Sequence, residues 1–241
     1  MNGSKLQQLR SWVKEARNIV FFGGAGVSTE SGIPDFRSQD GLYRQQYKYP
    51  PETIISHSFL LSHPEEFYRF YRTKMLPQGI EPNVTHRVVA EWERQGKLRA
   101  CITQNIDDLH EKAGTKRLYK LHGSTSRNYC MRCRKPYDVQ AILSTEGVPR
   151  CSCGGMIRPD VVLYEETLDD DVVRQSVEAI SEADLMLVCG TSLVVYPAAG
   201  LIQYYTGDRL VLINRTSTAY DGYAALVMHE SLGDVFGALD E

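Results

Sequence analysis

The sequence predicts an α/β fold, a mostly parallel β-sheet with helices on both faces. Three observations predict it. Short, nearly all-apolar runs recur at Ile19–Phe22, Leu98–Thr103, Leu185–Cys189 and Leu210–Ile213. Strands buried on both sides read in this way. Amphipathic stretches with helical periodicity separate the runs. A glycine-rich turn, Gly23-Gly24-Ala25-Gly26, follows the first run directly.

The elements follow in chain order. Residues 5–16 read as an amphipathic helix, and Asn18 to Phe22 as a short buried strand. A short helix is expected over Val27 to Ser31, stopped by Gly32 and Pro34. Residues 38–63 are rich in Tyr, Pro, Ser and Gln and predict a long loop with little regular structure. Residues 65–75 read as helical, with Phe67, Tyr68, Phe70 and Tyr71, and so do residues 83–95, closed by Gly96. Strands are expected at Leu98–Thr103, Leu118–Leu121 and Val161–Leu163, and a helix at 169–182. Leu185–Cys189 and Leu210–Ile213 are the last strands, joined by a helix from Pro197.

Composition narrows the function classes. The 241 residues carry 30 acidic and 27 basic side chains, a net charge of −3. No global basic field exists to hold nucleic acid or an anionic membrane. The N-terminus is amphipathic and charged, without a secretory pattern. Leu185 to Ile202 is apolar, but Gly190, Thr191, Ser192 and Pro197 interrupt it, so no membrane span is expected. A cytoplasmic location is the expectation.

Four of the six cysteines form a CxxC pair, Cys130 and Cys133, and a CxC pair, Cys151 and Cys153. Four thiolates satisfy tetrahedral Zn²⁺ and leave no open position, so one structural zinc ion is expected per chain. The competing readings are two disulfides or a redox CxxC. Cys101 and Cys189 lie in strand-like runs and read as core thiols.

Strand, glycine turn and helix together can present backbone N–H groups to a pyrophosphate, in the manner of a Rossmann-like fold. Gly24-Ala25-Gly26 fits the first two glycines of GxGxxG, but Thr29 stands at the third. Gln104-Asn105-Ile106-Asp107 follows a strand, where open α/β sheets place ligands. Read alone, Asp107 suits a helix cap better. His122 also ends a strand and can accept a proton near neutrality. The other histidines, His57, His63, His86, His110 and His229, lack such a setting and read as structural or surface residues. Gly190-Thr191-Ser192 follows a third strand, with hydroxyls suited to ribose or phosphate or to a capped turn.

The run from Gly24 to Arg37, GAGVSTESGIPDFR, resembles the sirtuin family of NAD-dependent protein deacylases. So do Gln104 to Asp107, Leu121-His122-Gly123-Ser124, the paired cysteines, Gly190-Thr191-Ser192-Leu193 and Ile213-Asn214. The motifs span nearly the whole chain in the family's order, at the compact length of its bacterial members. The resemblance implies one catalytic domain. Its large lobe would span about 1–37, 83–123 and 158–241. Its small lobe would hold a helical or loop insertion over about 38–82 and a zinc ribbon over about 124–157.

The resemblance implies site residues as well. His122 would be the catalytic base, with Asn105 assisting. Gly24, Ala25, Gly26, Thr29, Asp35, Phe36, Arg37, Gln104, Ile106, Asp107, Gly190, Thr191, Ser192, Asn214 and Leu232 would bind NAD. Val161, Val162, Leu163 and Tyr164 would line the peptide strand. The family usually continues Phe-Gly-Glu where this chain has Tyr164-Glu165-Glu166. Members that take succinyl groups carry Tyr-x-x-Arg, where this chain reads Tyr68-Arg69-Phe70-Tyr71, so acetyl or other uncharged acyl groups are expected. The implied reaction turns acyl-lysine, NAD and water into lysine, nicotinamide and O-acyl-ADP-ribose, with acetylated proteins or peptides as partners and a monomeric enzyme. Rival readings are mono-ADP-ribosylation, a non-catalytic NAD sensor, and a nucleic-acid module using the basic cysteine region of Arg127, Arg132, Arg134, Lys135, Arg150 and Arg158.

Overall fold

A computed structural model describes residues 2–36, 41–42 and 47–240. The strands are β1 (Ile19–Gly23), β2 (Leu98–Thr103), β3 (Leu118–Lys120), β4 (Gly123–Cys130), β5 (Pro136–Tyr137), β6 (Ile157–Val161), β7 (Leu185–Cys189), β8 (Leu210–Ile213) and β9 (Leu226–Met228). The helices are α1 (Gly3–Glu15), α2 (Pro51–Ile54), α3 (His57–Ser62), α4 (Pro64–Phe70), α5 (Val84–Arg94), α6 (Leu109–Ala113), α7 (Gln140–Leu143), α8 (Asp170–Ser181) and α9 (Leu232–Asp240).

Six strands form one parallel sheet in the order β3-β2-β1-β7-β8-β9. This is the doubly wound order, and the winding reverses between β1 and β7. Period-2 alternation sends the apolar runs to two cores. Ile19, Phe21, Leu187 and Cys189 face α1, α5 and α9, through Leu9, Val13, Val88, Trp92 and Phe236. Val20, Phe22, Met186 and Val188 face the other way, onto Ala179 and Ile180 of α8 and onto Ala198–Ile202. Both faces are covered, which is why these strands lack polar alternation.

The second sheet is antiparallel, in the order β5-β4-β6. It shares a third core with α3 and α4, containing Phe59, Leu60, Phe67, Tyr68, Tyr71, Ile142 and Ile157.

Several local expectations change. The helix expected over 27–31 is two 3-10 turns, Ala25–Val27 and Thr29–Ser31, ended by Gly32 at φ 94°. The expected loop at 38–63 contains α2, opened by Pro51, and α3, where the Ser56 side chain accepts from Phe59 N. The segment from Pro197 is a 3-10 helix, Ala198–Tyr204. The strand expected at Val161–Leu163 ends at Val161, because Val162 onward leaves β4 for other partners.

Candidate functional site

The winding reverses between β1 and β7, and the carboxyl ends of the strands at such a reversal form the ligand crevice of open α/β sheets; there Gly24 and Gly26 meet Gly190. A Cβ on Gly24 would lie 2.6 Å from the Thr191 Cβ, and one on Gly26 would lie 2.8 Å from the Gly190 Cα. Gly190 also adopts φ 58°. Glycine is required here because two backbones touch. Gly24 N and Gly26 N donate to Cys189 O and Gly190 O, closing the two loops on each other. Among the described residues, the amides of Ala25, Thr191 and Ser192 have no intramolecular acceptor. They are donors available to a ligand's oxygens. Thr29 bonds back to Gly26 O at 3.0 Å, which steadies the turn where a third glycine was absent.

The segment after β2 joins this crevice. Gln104 Nε2 donates to Thr191 Oγ1 at 3.1 Å. Asn105 is buried, and its Nδ2 donates to Ser28 Oγ at 3.0 Å. Ser28 Oγ in turn donates to Asp107 Oδ2 at 2.9 Å. Asp107 also accepts Leu109 N at 3.1 Å across a two-residue turn; the cap position of α6 itself is Asp108, not Asp107 as the sequence alone suggested. Burial pushes the Asp107 carboxyl up from its usual range, against the opposing bonds from Leu109 and Ser28. Ile106 sits between them, packed at the margin of the third core.

Two residues that sequence reasoning missed complete the cluster. Ser28, only 1% exposed, ties the glycine turn to Asn105 and Asp107. Lys120 is buried on β3, and its Nζ donates to Asp107 O (2.5 Å) and Glu111 Oε1 (2.7 Å). A serine in a turn and a lysine in a strand carry no pattern of their own.

His122 sits between β3 and β4. Its Nδ1 lies 2.8 Å from Gln104 O. A carbonyl only accepts, so Nδ1 carries the proton and Nε2 keeps a lone pair. Burial pushes the His122 pKa below the ordinary histidine value, and the Gln104 bond only partly opposes this. The imidazole is therefore a neutral base at pH 7.

His122 also anchors the segment after β6, since its carbonyl accepts Val162 N at 3.0 Å. Val161 and Leu163 are buried, whereas Val162 and Tyr164 are half-buried. Tyr164 N donates to Ile55 O and its carbonyl accepts His57 N. Glu166 grips buried Arg158 at 2.5 and 3.0 Å, accepts Leu163 N, and meets His57 Nδ1 at 2.8 Å. Burial would raise the Glu166 carboxyl, but the bonds from Arg158, Leu163 and His57 hold it at about 2. His57, expected to be a structural or surface residue, is part of this structural network. Glu165, where the family usually has glycine, adopts φ 75°.

The four paired cysteines converge, with all four Sγ atoms within 4.8 Å of one another. Cys130 and Cys153 Sγ are 3.5 Å apart, and Cys133 and Cys151 Sγ are 3.6 Å apart. These separations far exceed a disulfide's ~2.05 Å. They match the roughly 3.8 Å edge of a tetrahedron with ~2.3 Å Zn–S bonds. The donor set is four soft thiolates, and it fits a structural zinc. Backbone amides of Arg132 and Cys133 point at Cys130 Sγ and favour its thiolate.

The remaining expected residues lie around the crevice or outside it. Asn214 follows β8 and bonds Thr216 O through Nδ2 at 2.9 Å. Leu232 opens α9 and is buried in the first core. Asp35 accepts Leu42 N at its carbonyl, and Phe36 is half-buried. Arg37 lies outside the described residues. No helix among the described residues is long and apolar enough to cross a membrane.

Known proteins share this arrangement. The sequence matches the Sir2 family over residues 24–197. It is 55% identical over 235 residues to an NAD-dependent protein deacetylase of Clostridium acetobutylicum, covering 96% of each chain. The fold matches a Sir2 structure containing a deacetylated p53 peptide and 3'-O-acetyl ADP ribose, with TM-score 0.90, 39% identity, and 97% and 96% of the two chains covered. A Sir2 structure with p53 peptide and NAD+ matches with TM-score 0.85 and 39% identity, covering 96% of this chain and 95% of that one. The doubly wound sheet, the crevice polar cluster and the four-thiolate module therefore sit in a chain that belongs to the Sir2 family.

Proposed function

We propose that this chain, an NAD-dependent protein deacetylase of the Sir2 family, converts acetyl-lysine peptides, NAD and water into lysine peptides, nicotinamide and O-acetyl-ADP-ribose. The carrying observation is the His122 tautomer. Its Nδ1–H is committed to Gln104 O, so Nε2 is the free lone pair at the crevice. NAD supplies a ribose carbon activated by a leaving nicotinamide. The chain's own residues do the rest. Gln104, Asn105, Ile106 and Asp107 hold the nicotinamide end, stiffened by Ser28 and Lys120. The amides at Ala25, Thr191 and Ser192 receive phosphate or ribose oxygens, and Asn214 and Leu232 border the adenosine end. His122 Nε2 takes a proton from a ribose hydroxyl as it attacks the acyl carbon.

An extended peptide would lie along Val161–Tyr164. Among the described residues no donor engages the Val162 carbonyl, and a peptide N–H can use it. The small region favours an uncharged acyl group. Tyr71, where succinyl-type members carry arginine, is 1% exposed and stacked on Phe67. Arg72, one residue on, donates to Ile142 O at 2.8 Å and Gly147 O at 2.5 Å, so it is engaged with backbone carbonyls. Among the described residues, the guanidinium next to Tyr71 is thus committed to backbone carbonyls rather than open to a succinyl carboxylate.

The test incubates the protein with acetyl- and succinyl-lysine peptides, with and without NAD, and weighs the products. NAD-dependent loss of acetyl, with nicotinamide released and succinyl turned over far more slowly, is the expected outcome. A peptide that gains ADP-ribose would replace deacetylation with the transferase reading. Equal turnover of the two acyl groups would overturn the acyl preference alone.

A further inference from the structure

The chain leaving β6 is held at two points before it reaches Glu165. Val162 N is fixed to the His122 carbonyl, and Tyr164 pairs with Ile55 and His57 next to α3. Beyond Tyr164 the chain turns through Glu165 in the left-handed region, at φ 75°, a conformation that L side chains disfavour. Something local must offset that preference. Glu165 Oε2 accepts Ser58 N at 2.9 Å, and Oε1 accepts Ser58 Oγ at 2.9 Å. Its neighbour Glu166 meets His57 at 2.8 Å. Two consecutive carboxylates thus grip two consecutive residues of α3, across a sequence separation of 107 for the Glu165 pair.

We propose that Glu165 is a positioning residue, whose clasp on Ser58 fixes the Val162–Tyr164 edge against α3 so that an extended acyl-peptide meets an edge already ordered. The proposal rests on reading that edge as the peptide strand. Ordering the edge before binding removes an entropic cost that the peptide would otherwise bear. The left-handed turn at Glu165 is the geometry that aims both carboxylates at α3. The bonds face solvent, so the clasp is worth a modest factor rather than the whole of peptide affinity. Glu166 plays a different part, because its carboxylate is neutralised by buried Arg158 and belongs to the third core's framework.

The experiment uses the full chain as E165A, E165G, E165Q and S58A. Initial rates are measured with an acetyl-lysine peptide varied at saturating NAD, and with NAD varied at saturating peptide. Amide hydrogen exchange is followed at 57–60 and 162–164. Expected for E165A is a peptide KM raised about fivefold, with kcat and the KM for NAD within about twofold, and faster exchange in both segments. E165G relieves the turn but lacks the clasp, and should behave as E165A. E165Q keeps an acceptor for Ser58 N and should restore both readouts, and S58A should reproduce part of the loss. Unchanged exchange in E165A overturns the clasp. Faster exchange with an unchanged peptide KM overturns its role in peptide binding. Parallel loss of kcat and of both KM values marks a general structural defect and also overturns the proposal. A parent enzyme without NAD-dependent deacetylation defeats the functional reading instead, and the exchange comparison still decides the clasp.

Discussion

The parallel sheet and the cysteine-bearing region solve the problem of order differently. In the sheet, β1 and β7 are fully buried, and each is paired along its whole length. Order there comes from repetition, since every residue adds a ladder bond and an apolar contact. Around the antiparallel sheet several elements are short, down to the two residues of β5 and the four of α7, beside the eight-residue β4. Order there comes from single ties. Four thiolates meet at one point, Tyr68 OH donates to Ile157 O, Arg72 spans to Ile142 and Gly147, and Arg158 grips Glu166. Repetition spreads the loss of one member over many contacts, whereas losing a point tie removes a whole cross-link, to a degree set by that tie's strength.

Removing a thiolate is the sharpest way to break the comparison. Cys151→Ser should abolish stoichiometric zinc, because structural zinc sites carry apparent binding energies of about 10–16 kcal/mol that couple to folding. Metal analysis with hydrogen exchange checks this: amides of β4 and β6 should lose protection while those of β1 and β7 keep theirs. Equal loss in both sheets would show one cooperative unit. His122→Ala comes next, acting on chemistry and on neither source of order. It should lower kcat by about 100- to 10,000-fold with unchanged zinc content and melting temperature, read by nicotinamide release.

The third effect belongs to the sheet side. Buried His86 on α5 and His110 on α6 face each other, with ring centroids 4.7 Å apart. Burial, aided by Arg87, holds His86 at about 4, and burial drives His110 well below its ordinary value. An unfolded chain protonates both below pH ~6.5, whereas folded His86 stays neutral down to about 4. The unfolded state then binds more protons, so stability falls as pH drops through that window. For His86 alone the loss is about 3 kcal/mol on complete descent. Urea midpoints at pH 7 and pH 5 check the sign, and H86Q should reduce the difference while buried His110 keeps the remainder. The smallest effect is Arg72→Ala, which should cost about 1–2 kcal/mol through two lost carbonyl bonds. It should leave the acetyl-over-succinyl ratio unchanged; a new succinyl activity would contradict the structural role assigned to Arg72.

The same contrast explains what was legible in the sequence. β1, β2, β7 and β8 announce themselves as apolar runs because burial on both faces writes itself into every residue. β9 has three residues, too few for any period, and α9 carries Gly233 and Gly237, which weaken a helical pattern. Around α2 and α3 the signals were present but local: Pro51 at a helix start and Ser56 as a cap. They were masked by a composition that reads as loop. In the site, the cysteine spacing and the glycine turn were legible because their chemistry demands particular residue types. Ser28 and His57 were not, since their partners Asp107 and Glu166 lie 79 and 109 residues away; Lys120–Glu111 and Arg158–Glu166 are only 9 and 8 residues apart, but each pair spans a turn of the chain and follows no helix or strand spacing.

The winding order also sets a schedule for synthesis. All four thiolates have been made once Cys153 is added, and the β4–β6 pairing is complete at Val161. The crevice needs Gly190, and β1 stays without its β7 neighbour until Leu185–Cys189 emerges. A chain growing from its N-terminus therefore has all four thiols synthesised while its central strand still lacks its β7 neighbour. The cysteine module is complete in sequence before the Gly190 side of the site exists.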